Sequence, residues 1–168
     1  MSKHKNRPIL EIPRSEQERL LDSLTIIALA LLILLPALSY GSLPEEVPTH
    51  FNGKGEADAW SSKSYIWLLP GIGVLMAILM QYLTTIPHHY SYKVEVTAEN
   101  APTQYQRART VIRFFNAFDT ALFLVITWFM IQAAKGEAGG MNEWMMPSIL
   151  MVTLFAVVYA VRMAYKKD

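Results

Sequence analysis

The sequence predicts an all-α membrane protein with four transmembrane helices and an ordered extracytoplasmic loop between the first two, and three observations predict it. The 168 residues are 52% hydrophobic and 17% charged, with a mean hydropathy of +0.22, a balance that belongs to the membrane class. Four apolar windows, 20–40, 65–86, 114–134 and 144–164, each hold 21 or 22 residues, and about 20 helical residues cross a hydrocarbon core. The charges are clumped between these windows. A soluble four-helix bundle is the rival, but bundle helices keep a polar stripe toward water, and 24–38 shows none beyond Thr25.

Residues 1–19 form a polar tail of mixed charge in which Pro8 and Pro13 discourage a long helix. Ser15, Glu16, Gln17 and Glu18 spell a capping box that opens the first helix. The tail reads either as a docking arm or, more simply, as a solvated arm with stop-transfer charges. The basic residues, the apolar run and Ala37-Leu38-Ser39 also resemble a secretory signal with a small-x-small cleavage site. Four acidic residues, Glu11, Glu16, Glu18 and Asp22, precede the run, which is long enough to span, so a retained helix is expected. Pro36 removes a backbone hydrogen bond near the outer end and bends or ends the helix, and Gly41 can close it.

The loop at 41–64 is dense in Pro, Gly, His and charge. Pro44 and Pro48 hold its entry extended, and Asn52-Gly53-Lys54-Gly55 offers the positive φ values of a tight turn. A hairpin of 47–51 against 56–60 is the natural arrangement. In that register His50 opposes Ala57 and Asp58 points to the other face, which argues against a His50/Asp58 metal pair. A solvated connector needs only a few residues, so the extra length implies a folded cap, a binding surface, or both.

Span two opens with Pro70, Gly71 and Gly73, small residues suited to close helix packing. The connection at 87–113 begins with His88-His89, read as membrane-surface residues rather than metal ligands. It continues through a strand-like alternation at 92–97 and then starts a helix near Asn100-Ala101-Pro102. Span three is the least lipid-like. At about 100° per residue, Arg109, Arg113, Asn116, Thr120 and Thr127 share one sector with Asp119 at its edge, and such a stripe must face protein or water. Asp119 is either structurally paired or part of a proton, ion or ligand pathway. Arg113 lies six residues away, off the i,i+4 spacing, so Arg162 of span four is its expected partner.

Twelve of the fifteen Lys and Arg residues fall in the N-terminal tail, the 87–113 connection and the C-terminal end, against Lys54, Lys63 and Lys135 elsewhere. By the positive-inside rule both termini are cytoplasmic and the 41–64 loop is outside. Tyr40, Trp67 and Trp144 mark one interface, and Tyr82, Tyr159 and Tyr165 the other. There is no cysteine, so thiol catalysis, disulfides and lipoprotein acylation are excluded. No P-loop, zincin helix, nucleophile elbow or dinucleotide fingerprint occurs. A net charge of +1, with basic residues that track topology, gives no support to nucleic-acid binding.

Leu43-Pro44, Pro48, His50-Phe51-Asn52, Gly55, Asp58, Trp60 and Lys63, followed by an apolar span with Pro70 near its start, resemble the signature of the bacterial domain of unknown function found in SdpI-like proteins, relatives of the sporulation-delay toxin immunity protein. The resemblance covers about 24–83, the first two spans. It implies a multi-pass protein of the bacterial inner membrane. The prototype of that family protects its cell against a secreted peptide toxin and signals by holding a repressor at the membrane. The prototype is longer, with more spans, and no catalytic residues carry over.

The expected function is therefore a non-enzymatic ligand-sensing, immunity or signalling module. Its ligand-binding candidates are Pro48, His50, Phe51, Asn52, Gly55, Asp58, Trp60 and Lys63 of the outer loop. The alternative is a small transporter or ion pathway using Asp119 with Arg113, Asn116, Thr120 and Thr127. A membrane-embedded enzyme using His50, Glu56 and Asp58 is the third reading. The expected partners are the lipid bilayer, a peptide or envelope ligand outside and a cytoplasmic protein inside, with no cofactor, metal or nucleic acid.

Overall fold

Ser15 and Glu18 start the first helix reciprocally. The Ser15 hydroxyl accepts the Glu18 N–H at 3.2 Å and the Glu18 carboxylate accepts the Ser15 N–H at 2.9 Å, so two of the backbone donors that a helix start leaves open are satisfied. The computed structural model describes residues 7–136 and 144–164. Lys3, Lys5, Tyr165, Lys166 and Lys167 lie outside the described residues. From its cap, α1 runs over Glu16–Ser39 and carries Pro36 inside its last turns, before a 3-10 turn at Tyr40–Ser42. Strands β1 (Glu46–Phe51) and β2 (Ala57–Ser62) then pair antiparallel as a hairpin. A 3-10 segment, Lys63–Trp67, leads into α2 (Leu68–Leu83). A further 3-10 turn, Pro87–His89, precedes an irregular stretch, α3 (Ala101–Ala134) and α4 (Met145–Ala164).

The fold is mostly helical, and among the described residues three segments, Glu16–Ser42, Lys63–Leu83 and Ala101–Ala134, are helical, long and apolar enough to cross a bilayer. The apolar stretch described in α4, Pro147–Arg162, is shorter. At 34 residues α3 is the longest element, about 50 Å at 1.5 Å per residue, and it packs against α1, α2, α4 and β1. One core cluster, Leu43, Val47, Phe51, Ile66, Met130 and Ile131, clamps the inner face of the hairpin onto the C-terminal part of α3. Farther along, Gly73 of α2 lets the helices close in: a Cβ there would stand 2.7 Å from Leu32 Cδ2 and 3.3 Å from Phe123 Cδ2.

The strand expected at 92–97 does not form. Among the described residues no second strand lies beside it, so part of its backbone turns to a side chain instead. Asn100 donates to the Glu95 carbonyl and accepts the Thr97 N–H, both at 2.9 Å, while the Tyr92 hydroxyl donates to the Pro87 carbonyl at 2.9 Å. The two Asn100 bonds supply partners that a ladder would have given to Glu95 and Thr97.

Candidate functional site

The hairpin turn is built by one side chain. Asn52 Oδ1 accepts the N–H of Lys54 at 2.8 Å and of Glu56 at 3.1 Å, the Asx-type bonding that favours this residue in turns. Gly55 takes φ 80°, a conformation that glycine adopts without steric cost. Beyond the turn the ladder is irregular. Val47 pairs with Ser61 and Pro48 with Trp60, but His50 then pairs with Ala59 and Phe51 with Ala57. Thr49 on β1 and Asp58 on β2 are thus extra residues, two offsetting bulges. Pro48, which has no N–H to give to a ladder, sits at the first of them.

These bulges overturn the uniform register, in which His50 faced Ala57 and Asp58 pointed away. His50 Nδ1 and Asp58 Oδ1 lie 2.5 Å apart, with side chains 68% and 44% exposed. Among the described residues no third metal-type ligand joins them. Asn52 Nδ2 donates to Glu56 at 2.9 Å. Lys63 pairs with Glu45 at 2.9 Å and lies over the Tyr40 ring at 5.6 Å. The eight loop candidates therefore divide by face. Pro48, Phe51 and Gly55 are buried, while His50, Asp58 and Trp60 are exposed and Asn52 and Lys63 are intermediate.

At the other end of α3 lies a second polar constellation. Glu18 is fully buried and takes hydrogen bonds from Arg109 Nε and Nη2, at 3.0 and 3.1 Å, and from Arg113 Nη1 at 3.1 Å. Arg113 Nε reaches Asp22 at 3.0 Å, and Arg14 meets the other Asp22 oxygen at 3.3 Å. Two carboxylates and two guanidiniums thus neutralise one another where a lone charge would be expensive. Glu18 and Asp22 were not singled out as site residues by the sequence reading, although the signal was present. They stand four residues apart on α1, as Arg109 and Arg113 do on α3, and i,i+4 spacing puts each pair on one helix face.

The cluster also anchors the described part of the N-terminal arm, 7–15, whose side chains stay exposed or intermediate. Arg109 donates to the Ile12 carbonyl at 3.0 Å, the Tyr105 hydroxyl donates to Pro8 O at 3.1 Å, and Arg7 donates to His88 O at 3.2 Å. The first turns of α3 provide the surface that holds the arm. Tyr90, in the same region, has its phenol pushed up to about 12 by burial, against a lowering pull from Arg113 and Arg109.

The α3 stripe is buried as its composition demands. Arg109, Arg113, Asn116, Thr120 and Thr127 all face protein. Asn116 donates to the Ala77 carbonyl of α2 at 3.3 Å and Thr120 to the Asn116 carbonyl at 2.7 Å. Thr127 Oγ1 is buried without a hydrogen-bond partner among the described residues. The expected Asp119–Arg162 pair is absent: Arg162 is exposed, Asp119 is half-buried, and neither makes an ion pair among the described residues. Arg113, six residues from Asp119, is bound by the acids of α1.

A family model described as a domain of unknown function (DUF1648) matches residues 26–74. That stretch holds most of α1, the whole hairpin and the first part of α2. An uncharacterised protein of Archaeoglobus fulgidus is 36% identical over 74 residues, which make up 44% of this chain and 40% of that protein. The chain thus spans less than half the length of this relative. No solved structure gives a significant match.

Proposed function

We propose that the chain is a non-enzymatic binding and signalling module in a cell membrane, with four spans, both termini cytoplasmic, and a hairpin outside that engages a cationic peptide. One observation carries the reading. The hairpin has a buried face clamped on α3 by Val47 and Phe51, and an opposite face that offers His50, Asp58 and Trp60 to water. Across 43–63 four carboxylates stand against two lysines, a net charge of −2, so electrostatic complementarity favours a positively charged partner. An exposed Trp beside charged groups is a common binding anchor. The likeness of the loop to SdpI-like proteins, whose prototype guards against a secreted peptide toxin, points the same way. α3 would carry the signal, since it joins the base of the hairpin to the Glu18 cluster as one helix.

The test uses the full chain in nanodiscs of zwitterionic lipid, titrated with labelled amphipathic peptides built from Lys and Leu or from Glu and Leu. The Lys peptide binds, the Glu peptide does not, and the double variant Glu56→Gln/Asp58→Asn or the single variant Trp60→Ala weakens binding about fivefold or more, equivalent to roughly 1 kcal/mol. Equal binding of the two peptides, or wild-type affinity in both variants, would end the proposal. Asp119, half-buried and without an ion pair among the described residues, favours the second reading, an ion pathway. Asp119→Asn leaves peptide binding intact on the first reading, whereas on the second it abolishes pH-dependent flux in proteoliposomes.

A further inference from the structure

α1 and α2 approach closely where Leu32 opposes Gly73, but toward the N-terminal arm they part and leave a crevice floored by α3. It consists of two adjoining hollows that share Arg14 and Gln81. The inner one, of 360 Å³, has apolar walls from Ile26 and Leu29 on α1 and from Val74 and Ile78 on α2. The outer one, of 460 Å³, is mixed, with Glu11, Arg14, Thr84 and Thr85 beside Leu10, Ile12 and Pro87 at its rim and Arg109 and Arg113 at its base. Seven residues separate Gln81 from Val74, so the apolar part runs about 10 Å along the helix, roughly a third of a hydrocarbon core.

We infer that this crevice is a binding site for one glycerophospholipid with a zwitterionic, amine-bearing headgroup. Its acyl chain lies between Ile26 and Leu29 on one side and Val74 and Ile78 on the other, with its phosphate against Arg14 and its amine against Glu11. The charges at the mouth select this occupant. Glu18 and Asp22 are taken up by Arg109 and Arg113. Arg14, with its side chain 56% exposed, keeps only a 3.3 Å contact to Asp22. Glu11 is exposed and makes no ion pair among the described residues. One available cation beside one available carboxylate complements a zwitterion better than an anion. A single acyl chain is narrow enough to enter the inner hollow from the bilayer. The inference needs the chain to lie in a membrane and is independent of what the hairpin binds.

The experiment is native mass spectrometry of the full chain, reconstituted in equal parts phosphatidylethanolamine and phosphatidylglycerol and then stripped in mild detergent. One phosphatidylethanolamine per chain is retained, and the double variant Arg14→Gln/Glu11→Gln lowers its occupancy at least fivefold. Ile78→Trp fills the crevice from a position 63% exposed, so the fold is kept and the lipid is displaced even if the charge variant proves unstable. Absence of retained lipid, equal retention of phosphatidylglycerol, or undiminished occupancy in Ile78→Trp overturns the assignment.

Discussion

Glu18 does two jobs with one carboxylate: it caps α1 through Ser15 and it neutralises Arg109 and Arg113. The two jobs differ in size. Loss of an N-cap is worth about 1 kcal/mol, whereas removing one partner of a buried ion pair costs about 3–5 kcal/mol because the remaining charge is stranded. Glu18→Ala is therefore expected to lower the thermal midpoint of the detergent-solubilised protein several times more than Ser15→Ala does, since the Ser15 change touches the cap alone. Equal shifts would show that capping is what Glu18 contributes. The sequence made the cap legible because its signals lie within four consecutive residues, 15–18. It made the α3 stripe legible too, since one helix sets that periodicity. The pairing of α1 acids with α3 arginines joins positions 91 to 95 residues apart, and no local rule selects Glu18 and Asp22 among the carboxylates on offer.

The hairpin is an element that cannot stand alone, because two strands are marginal in water without a surface to pack on. Here the surface is α3, and the contact is made by Val47, 0% exposed, and Phe51, 9% exposed, against Met130 and Ile131. Truncating a buried Phe costs about 3–5 kcal/mol, more than a two-stranded element can absorb. Phe51→Ala is thus expected to expose the chain after Lys54 to trypsin while the helical circular dichroism stays at its wild-type level. Trp60→Ala, on the exposed face, leaves the loop resistant. Wild-type resistance in Phe51→Ala would mean that the hairpin is held by something other than this core. The turn was readable from Asn52 and Gly55, whose preferences are local. The register was not, because the bulges at Thr49 and Asp58 compensate one another, and the first of them adjoins Pro48, which has no N–H to give to a ladder. Two of the loop candidates, His50 and Asp58, meet only through that irregularity.

At the scale of the molecule, α1, α2 and α3 converge where Leu32, Gly73 and Phe123 meet. In a bilayer there is no water to drive helices together, so close approach of small residues and van der Waals contact do that work. The apolar windows showed that helices of spanning length exist, and Gly73 was legible as a packing residue; its partners were not, because which face of one helix meets which face of another is a tertiary fact. The contact can be tested by shape. A Cβ at Gly73 would come within 2.7 Å of Leu32 Cδ2, and Leu32 is 0% exposed and so has little room to turn aside. Overpacking of this kind typically costs 1–3 kcal/mol, and Leu32→Ala alone is expected to cost about 2–5 kcal/mol through the cavity it leaves. If the two residues share one contact, the extra methyl of Gly73→Ala occupies part of that cavity. The double variant Gly73→Ala/Leu32→Ala is then more stable than the sum of the single changes predicts, by about 0.5–3 kcal/mol in a double-mutant cycle. Strict additivity in unfolding midpoints would show that α1 and α2 do not meet at this point, and with it would go the convergence that opens the crevice between them.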